Sequence, residues 1–190
     1  MATYYVRTDG SNANAGTGSG TGQAWQTLSY ALGATSGFAS GDTLWIAPGI
    51  YRELVTVNMT NPTAATYIKG DPSASQFSGV TAGVVRVTNF LSNDSSAASD
   101  GILLDLNDRD YLQFSNLFFD IVRAGVGSNY MVRLYTSSWV SQFCSFTDCV
   151  FHSTQNAAGI YGDGAHPAMS LDITIERCYF ATNLGFQIIS

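Results

Sequence analysis

Large apolar residues recur in a fixed arrangement through the second half of the chain. Three hexapeptides, FSNLFF (114–119), FTDCVF (146–151) and IERCYF (175–180), each open on a large apolar residue, carry a polar pair and close on Phe. The closing residues Phe119, Phe151 and Phe180 lie 32 and 29 positions apart. A period of that length predicts a solenoid, because one repeat cannot bury its own apolar face and must stack on the next. Asn116, Asp148 and Arg177 occupy the same slot of the three hexapeptides. A tight bend is expected there, in a left-handed backbone conformation that Asn and Asp tolerate better than Arg, so the third repeat is expected to bend differently.

A second series runs beside the first: GILLDLN (101–107), YMVRLYT (130–136), AAGIYGD (157–163) and GFQIIS (185–190). Aligning Leu106, Leu134, Ile160 and Ile188 gives steps of 28, 26 and 28 residues. Strand alternation then turns Leu104, Leu106, Val132, Leu134, Ile160 and Ile188 inward. Phe114, Leu117, Phe119, Phe146, Cys149, Phe151, Cys178 and Phe180 join them from the hexapeptides. Cys149 and Cys178 share a slot in consecutive repeats. They read either as a pair of small buried apolar side chains or as a disulfide across adjacent strands.

The first half punctuates differently. TYYV (3–6) reads as a strand closed by an Asp9-Gly10 turn, and residues 10–23 as a surface loop to which no structure is assigned. Its GTGSGTG run lacks the GK[ST] that a phosphate-binding loop requires. Trp25, Leu28, Ala31 and Leu32 form one stripe and predict a helix over 25–32, ended by Gly33 and covering the open end of the stack. TLWIA (43–47), a Pro48-Gly49 turn, and strands within 65–71 and 84–90 follow.

The sequence YYV-x-x-DGS, a Gly-rich loop, W-x-TL-x-x-AL and GDTLWIAPGIYRE together resemble the N-terminal cap and first coil of right-handed parallel β-helix proteins, the pectate-lyase-like superfamily. The likeness is greatest to bacteriophage tail fibre and tailspike proteins. It implies an all-β fold, a right-handed parallel β-helix solenoid with a short N-terminal capping helix. Residues 1–40 would form the cap and 41–190 the coils, open at the C-terminal end. Polysaccharide lyases, glycoside hydrolases and phage spikes all use this fold, so the resemblance is informative for architecture and not for activity.

Composition narrows the partners. Charged residues make up 12% of the chain, with Lys69 the one lysine and Glu53 and Glu176 the glutamates. A net charge of −6 argues against nucleic acid or an anionic membrane as partner. There is no run of 18 apolar residues, and MATYYVRTDG lacks the pattern of a secretory leader. The three cysteines have no metal-ligand spacing, and no metal or other cofactor is expected.

The candidate sites are each set against a plainer reading. Asp105 and Arg133 are expected to be neighbours across one coil step, in a row continued by Gly159 and Gln187. They form either a carboxylate–arginine set for β-elimination on a uronate, with Arg133 as base as the resemblance implies, or a surface ion pair worth under about 1 kcal/mol. Asp163 beside His166 in GDGAHPA is the most interesting acid for glycoside hydrolysis, which needs a second carboxylate about 5–9.5 Å away. The plainer reading is a Gly-Asp-Gly turn with a solvated histidine. His152 reads as a surface or structural histidine. Tyr135, Trp139 and Tyr161 are expected near one outward face, where they would stack on sugars or on another subunit. They would be core if the register is shifted by one.

The expected function is a structural component of a bacteriophage virion, such as a tail fibre, spike or capsid decoration. It would assemble with itself, as a trimer for example, and with other virion proteins, and contact bacterial surface polysaccharide. The apolar strand at 185–190 motivates this, since an uncovered strand edge needs a partner. The alternatives are a polysaccharide lyase or glycoside hydrolase, secreted or carried on a phage, and a glycan-binding module without turnover.

Overall fold

The computed structural model describes residues 1–89, 101–121, 130–134, 141–154, 158–163, 172–182 and 186–189. The chain opens with β1 (Thr3–Val6) and α1 (Leu28–Ala31). Five coils of three strands follow. The first is β2 (Thr43–Ile46), β3 (Gly49–Arg52) and β4 (Val55–Thr56), and the second β5 (Thr66–Gly70), β6 (Val85–Thr88) and β7 (Ile102–Asp105). The third is β8 (Leu112–Ser115), β9 (Phe118–Ile121) and β10 (Tyr130–Arg133). The fourth is β11 (Cys144–Thr147), β12 (Val150–Ser153) and β13 (Ala158–Asp163), and the last β14 (Ile173–Glu176), β15 (Tyr179–Ala181) and β16 (Phe186–Ile189).

Each coil gives one strand to each of three parallel sheets. Sheet A has the order β1-β2-β5-β8-β11-β14, sheet B β3-β6-β9-β12-β15 and sheet C β4-β7-β10-β13-β16. This is a parallel β-helix, as the sequence predicts. Its core is three ladders of residues in register. Leu44, Ile68, Phe114, Phe146 and Ile175 line sheet A. Tyr51, Val87, Phe119, Phe151 and Phe180 line sheet B. Val55, Leu104, Val132 and Ile160 line sheet C. The Phe114 and Phe146 rings stack at 5.1 Å, Phe119 and Phe151 at 5.3 Å, and Phe151 and Phe180 at 4.7 Å, so like rests on like along the axis.

In coils three to five the corner between sheets A and B is one left-handed residue. Asn116 (φ 56°), Asp148 (φ 54°) and Arg177 (φ 50°) all adopt it. Arg177 was expected to depart from this geometry and does not. Its guanidinium is held bidentately by Asp148 of the coil before, Nε to Oδ1 at 2.7 Å and Nη2 to Oδ2 at 2.9 Å, which offsets the local strain. A second left-handed pair, Tyr111 and Phe143, precedes β8 and β11, and its rings stack at 4.8 Å.

Two further expectations are corrected. The helix is one turn, not the predicted eight residues. Trp25 bridges to Val6 in extended pairing, and the turn starts at Thr27, whose side chain accepts from Tyr30 N. The Glu53 carboxylate takes the Leu28 and Ser29 amides at 2.8 and 2.9 Å and fixes this turn over the first coil, with Leu28, Ala31 and Leu32 buried. The Gly-rich segment is ordered by hydrogen bonds. Gly16 (φ +75°) bonds Tyr5 and Gln23 through its backbone and lies so close to the Trp25 indole that a Cβ would sit 2.2 Å from the ring. Arg7, almost wholly buried, pairs with Asp9 and donates to the carbonyls of Ser19 and Ser78, tying two loops to β1.

Phe119→Ala is expected to lower unfolding free energy by about 3–5 kcal/mol, because the ladder leaves nothing to fill the cavity. Gly16→Ala is expected to cost more than about 1 kcal/mol, since it meets both a positive φ and the indole. Denaturant titration of each variant measures both.

Candidate functional site

Sheet C was the expected location of the chemistry. Asp105 and Arg133 are register neighbours, and Asp105 accepts from Arg133 Nε at 3.2 Å and Nη2 at 2.5 Å. Asp105 also takes the Asn107 amide at 3.1 Å and is buried. The next rung is Tyr161 and not Gly159, because Arg133 pairs with Tyr161. The alignment holds for β7 and β10 and is two residues off at β13 against both neighbours: Ile160 pairs with Val132 in place of Leu134 and with Phe186 in place of Ile188. Tyr161 is in register with the outward Arg133 but is only 7% exposed and stacks on Tyr130 at 3.9 Å, so its ring is covered within the chain. The backbone of Asp163 closes β13, opposite Ile189. The Asp163 side chain, and Tyr135, Trp139 and His166, lie outside the described residues.

The sharper constellation is on the outer face of sheet B. Alternation that sends Val87, Phe119 and Phe151 inward sends the residues beside them outward, and these are Arg86, Asp120 and His152. The Asp120 carboxylate accepts from Arg86 Nη2 on one oxygen and from His152 Nδ1 at 2.7 Å on the other. Its side chain is 1% exposed, whereas Arg86 and His152 are 36% and 38% exposed. A buried carboxylate thus sits between two groups that reach solvent. Arg86 Nε is itself buried and makes no hydrogen bond.

These three side chains line a groove of about 520 Å³ with Gly49, Ile50, Val84 and Phe118. The Phe118 ring lies 6.0 Å from the imidazole, centroid to centroid. The arrangement can do two things. Asp120 fixes the His152 ring through Nδ1 and leaves Nε2 as the nitrogen for proton transfer. Arg86 brings a permanent cation to the same groove, suited to a carboxylate. Among the described residues, no group of three or more His, Cys, Asp or Glu is placed to hold a metal ion.

Sequence reasoning set His152 aside and missed Arg86 and Asp120. A signal was present: Asp120 and His152 each follow a ladder Phe by one residue, so the recognised repeat already stacked them.

No family model and no curated protein matches the chain. A solved rhamnogalacturonan lyase is similar in structure, with a TM-score of 0.59 and 13% identity over 95% of this chain. The match covers 51% of that protein, so the chain spans about half the length of its structural relative. At this identity the likeness is one of fold.

Asp120→Ala is expected to destabilise the protein by about 1–3 kcal/mol, since it leaves the Arg86 and His152 donors without their shared acceptor. Thermal or urea unfolding of the variant checks this.

Proposed function

We propose that the protein engages an acidic polysaccharide along sheet B and cleaves it by β-elimination at a uronate. The observation that carries this reading is the Arg86–Asp120–His152 set in a groove with an apolar floor. Removing the proton α to a carboxylate builds negative charge on that carboxylate, and a cation beside it stabilises the charge. Arg86 supplies the cation, His152 accepts the proton at Nε2, and Asp120 orients the ring and stabilises the imidazolium that results. The released electron pair forms the carbon–carbon double bond and breaks the bond from the β carbon to the glycosidic oxygen, which leaves with the proton that the imidazolium returns. The fold shared with a polysaccharide lyase supports the substrate class without assigning the site.

Hydrolysis fits less well. It needs two carboxyl groups in different states, and Asp120 is the only carboxylate lining this groove among the described residues, already bonded twice. On sheet C, Arg133 as base is unfavourable, because a guanidinium bound by a carboxylate keeps its proton. The Asp105–Arg133 pair instead joins coils two and three.

A second reading is the structural one, a self-assembling part of a bacteriophage virion that contacts host glycan. Its support is the apolar surface on the same sheet, where Ile50 is 45%, Val84 58% and Tyr179 66% exposed. Such side chains suit a subunit contact as well as a sugar.

Incubation with polygalacturonate and rhamnogalacturonan, followed by ultraviolet absorbance of unsaturated ends, separates the readings. The lyase reading expects product formation that His152→Ala lowers about 10²-fold or more in kcat/KM. Arg133→Ala should retain activity. No product from any acidic glycan, with an oligomer in sedimentation that Tyr179→Asp dissociates, would establish the structural reading instead.

A further inference from the structure

The corner residues of coils four and five bring two cysteines together. Cys149 follows Asp148 and Cys178 follows Arg177, and each turns its side chain inward just after the left-handed bend, in the slot that Leu117 fills one coil earlier. Val150 pairs with Tyr179, and Tyr179 N donates to the Cys149 carbonyl at 2.9 Å, so the two cysteines are direct neighbours on adjacent coils. Neighbouring strands in a sheet lie about 4.8 Å apart, inside the roughly 4.4–6.8 Å window of Cα separations that a disulfide spans. Both are free thiols, Cys149 buried and Cys178 partly exposed.

We propose that Cys178 and Cys149 are an oxidative modification site, in which Cys178 attacks a low-molecular-weight disulfide and Cys149 resolves the adduct into a covalent link between coils four and five. The asymmetry of burial sets the order. Cys178 can meet a soluble disulfide, and Cys149 can meet only Cys178. The Cys149 thiol beside it lowers the Cys178 pKa to about 7, against a smaller opposing effect of burial, while the Cys149 and Cys178 sulfurs donate to the Thr147 and Phe146 carbonyls at 3.4 and 3.3 Å. The same proximity, with burial, pushes Cys149 up. Asp148 nearby opposes thiolate formation at Cys178, and its charge is taken up by the bidentate contact with Arg177.

The chemistry balances as an exchange. The Cys178 thiolate forms a bond to one sulfur of the small disulfide and expels one small thiolate. Cys149 then loses its proton to solvent, bonds to Cys178 sulfur and expels the second small thiol. Two small thiols appear, and the protein loses two hydrogens. Cys144 is an internal control. It is buried, its register partner is Ile173 and not a cysteine, and burial pushes its thiol up to about 12.

The test uses the full chain with oxidised glutathione. Expected is the loss of two of the three free thiols, a mass lower by two hydrogens, and a peptide joining Cys149 to Cys178 after proteolysis under non-reducing conditions. The melting temperature should rise by about 5 °C or more. Cys149→Ala, which keeps a small apolar side chain, should instead stop at a stable glutathione adduct on Cys178, formed more slowly because the neighbouring thiol that lowers the Cys178 pKa is gone. Cys178→Ser should leave Cys149 unmodified. Three free thiols surviving prolonged exposure, a link involving Cys144, or no adduct in Cys149→Ala would overturn the proposal.

Discussion

The constraint on which this structure depends is parallel pairing in register. Every strand bonds to the equivalent strand one coil away, so each side chain meets its counterpart at the spacing of a β-sheet. Inside, this converts scattered Phe, Leu and Val into continuous ladders, in which Phe151 touches Phe119 on one side and Phe180 on the other. No single coil has a core of its own. The corners must therefore superimpose as strictly as the strands, and Asn116, Asp148 and Arg177 do so even where the residue type resists the backbone conformation.

The same geometry is demanding for charge. Stacking in register would set like on like if a repeat carried a charged residue at a fixed place, and at sheet spacing that is unfavourable. In this chain the charged residues at successive coils have opposite sign or can share a proton: Asp105 against Arg133, Asp148 against Arg177, and Asp120 between Arg86 and His152. Elsewhere uncharged polar residues such as Gln113 and Ser145 hydrogen-bond along the axis. The low charge content is thus a condition of stacking as much as a compositional habit.

How far the sequence could be read follows from this. The hexapeptide repeat exposed the ladders of coils three to five because their strands and corner are contiguous, with no insertion between Phe114 and Phe119 or between Phe146 and Phe151. In coils one and two, Leu44 and Val87 belong to the same ladders but are separated from their fellows by loops of unequal length, and no fixed period reaches them. In sheet C, β13 was placed two residues off because a slip of two leaves every side chain on the same face, so alternation did not pin the register. The Gly-rich loop looked structureless because its order comes from backbone hydrogen bonds and a close approach to Trp25, neither of which has a periodic signature. The Arg86–Asp120–His152 set was hidden for a different reason. Its members come from three coils, one residue from each, and Arg86 sits diagonally from Asp120 and not opposite it.

From Asp105 onward the distance along the chain between touching residues is nearly even, which has a consequence for how the molecule responds to force. Gln113 and Ser145 meet across 32 positions, Asp105 and Arg133 across 28, and Asp148 and Arg177 across 29. Such contacts hold a coil only to its immediate neighbours. A pull on one end of the stack would meet the resistance of a single inter-coil seam at a time, releasing slack of one coil length with each rupture. The core, which looks like one unit in cross-section, is mechanically a series of detents, uneven in the first two coils and nearly even after them.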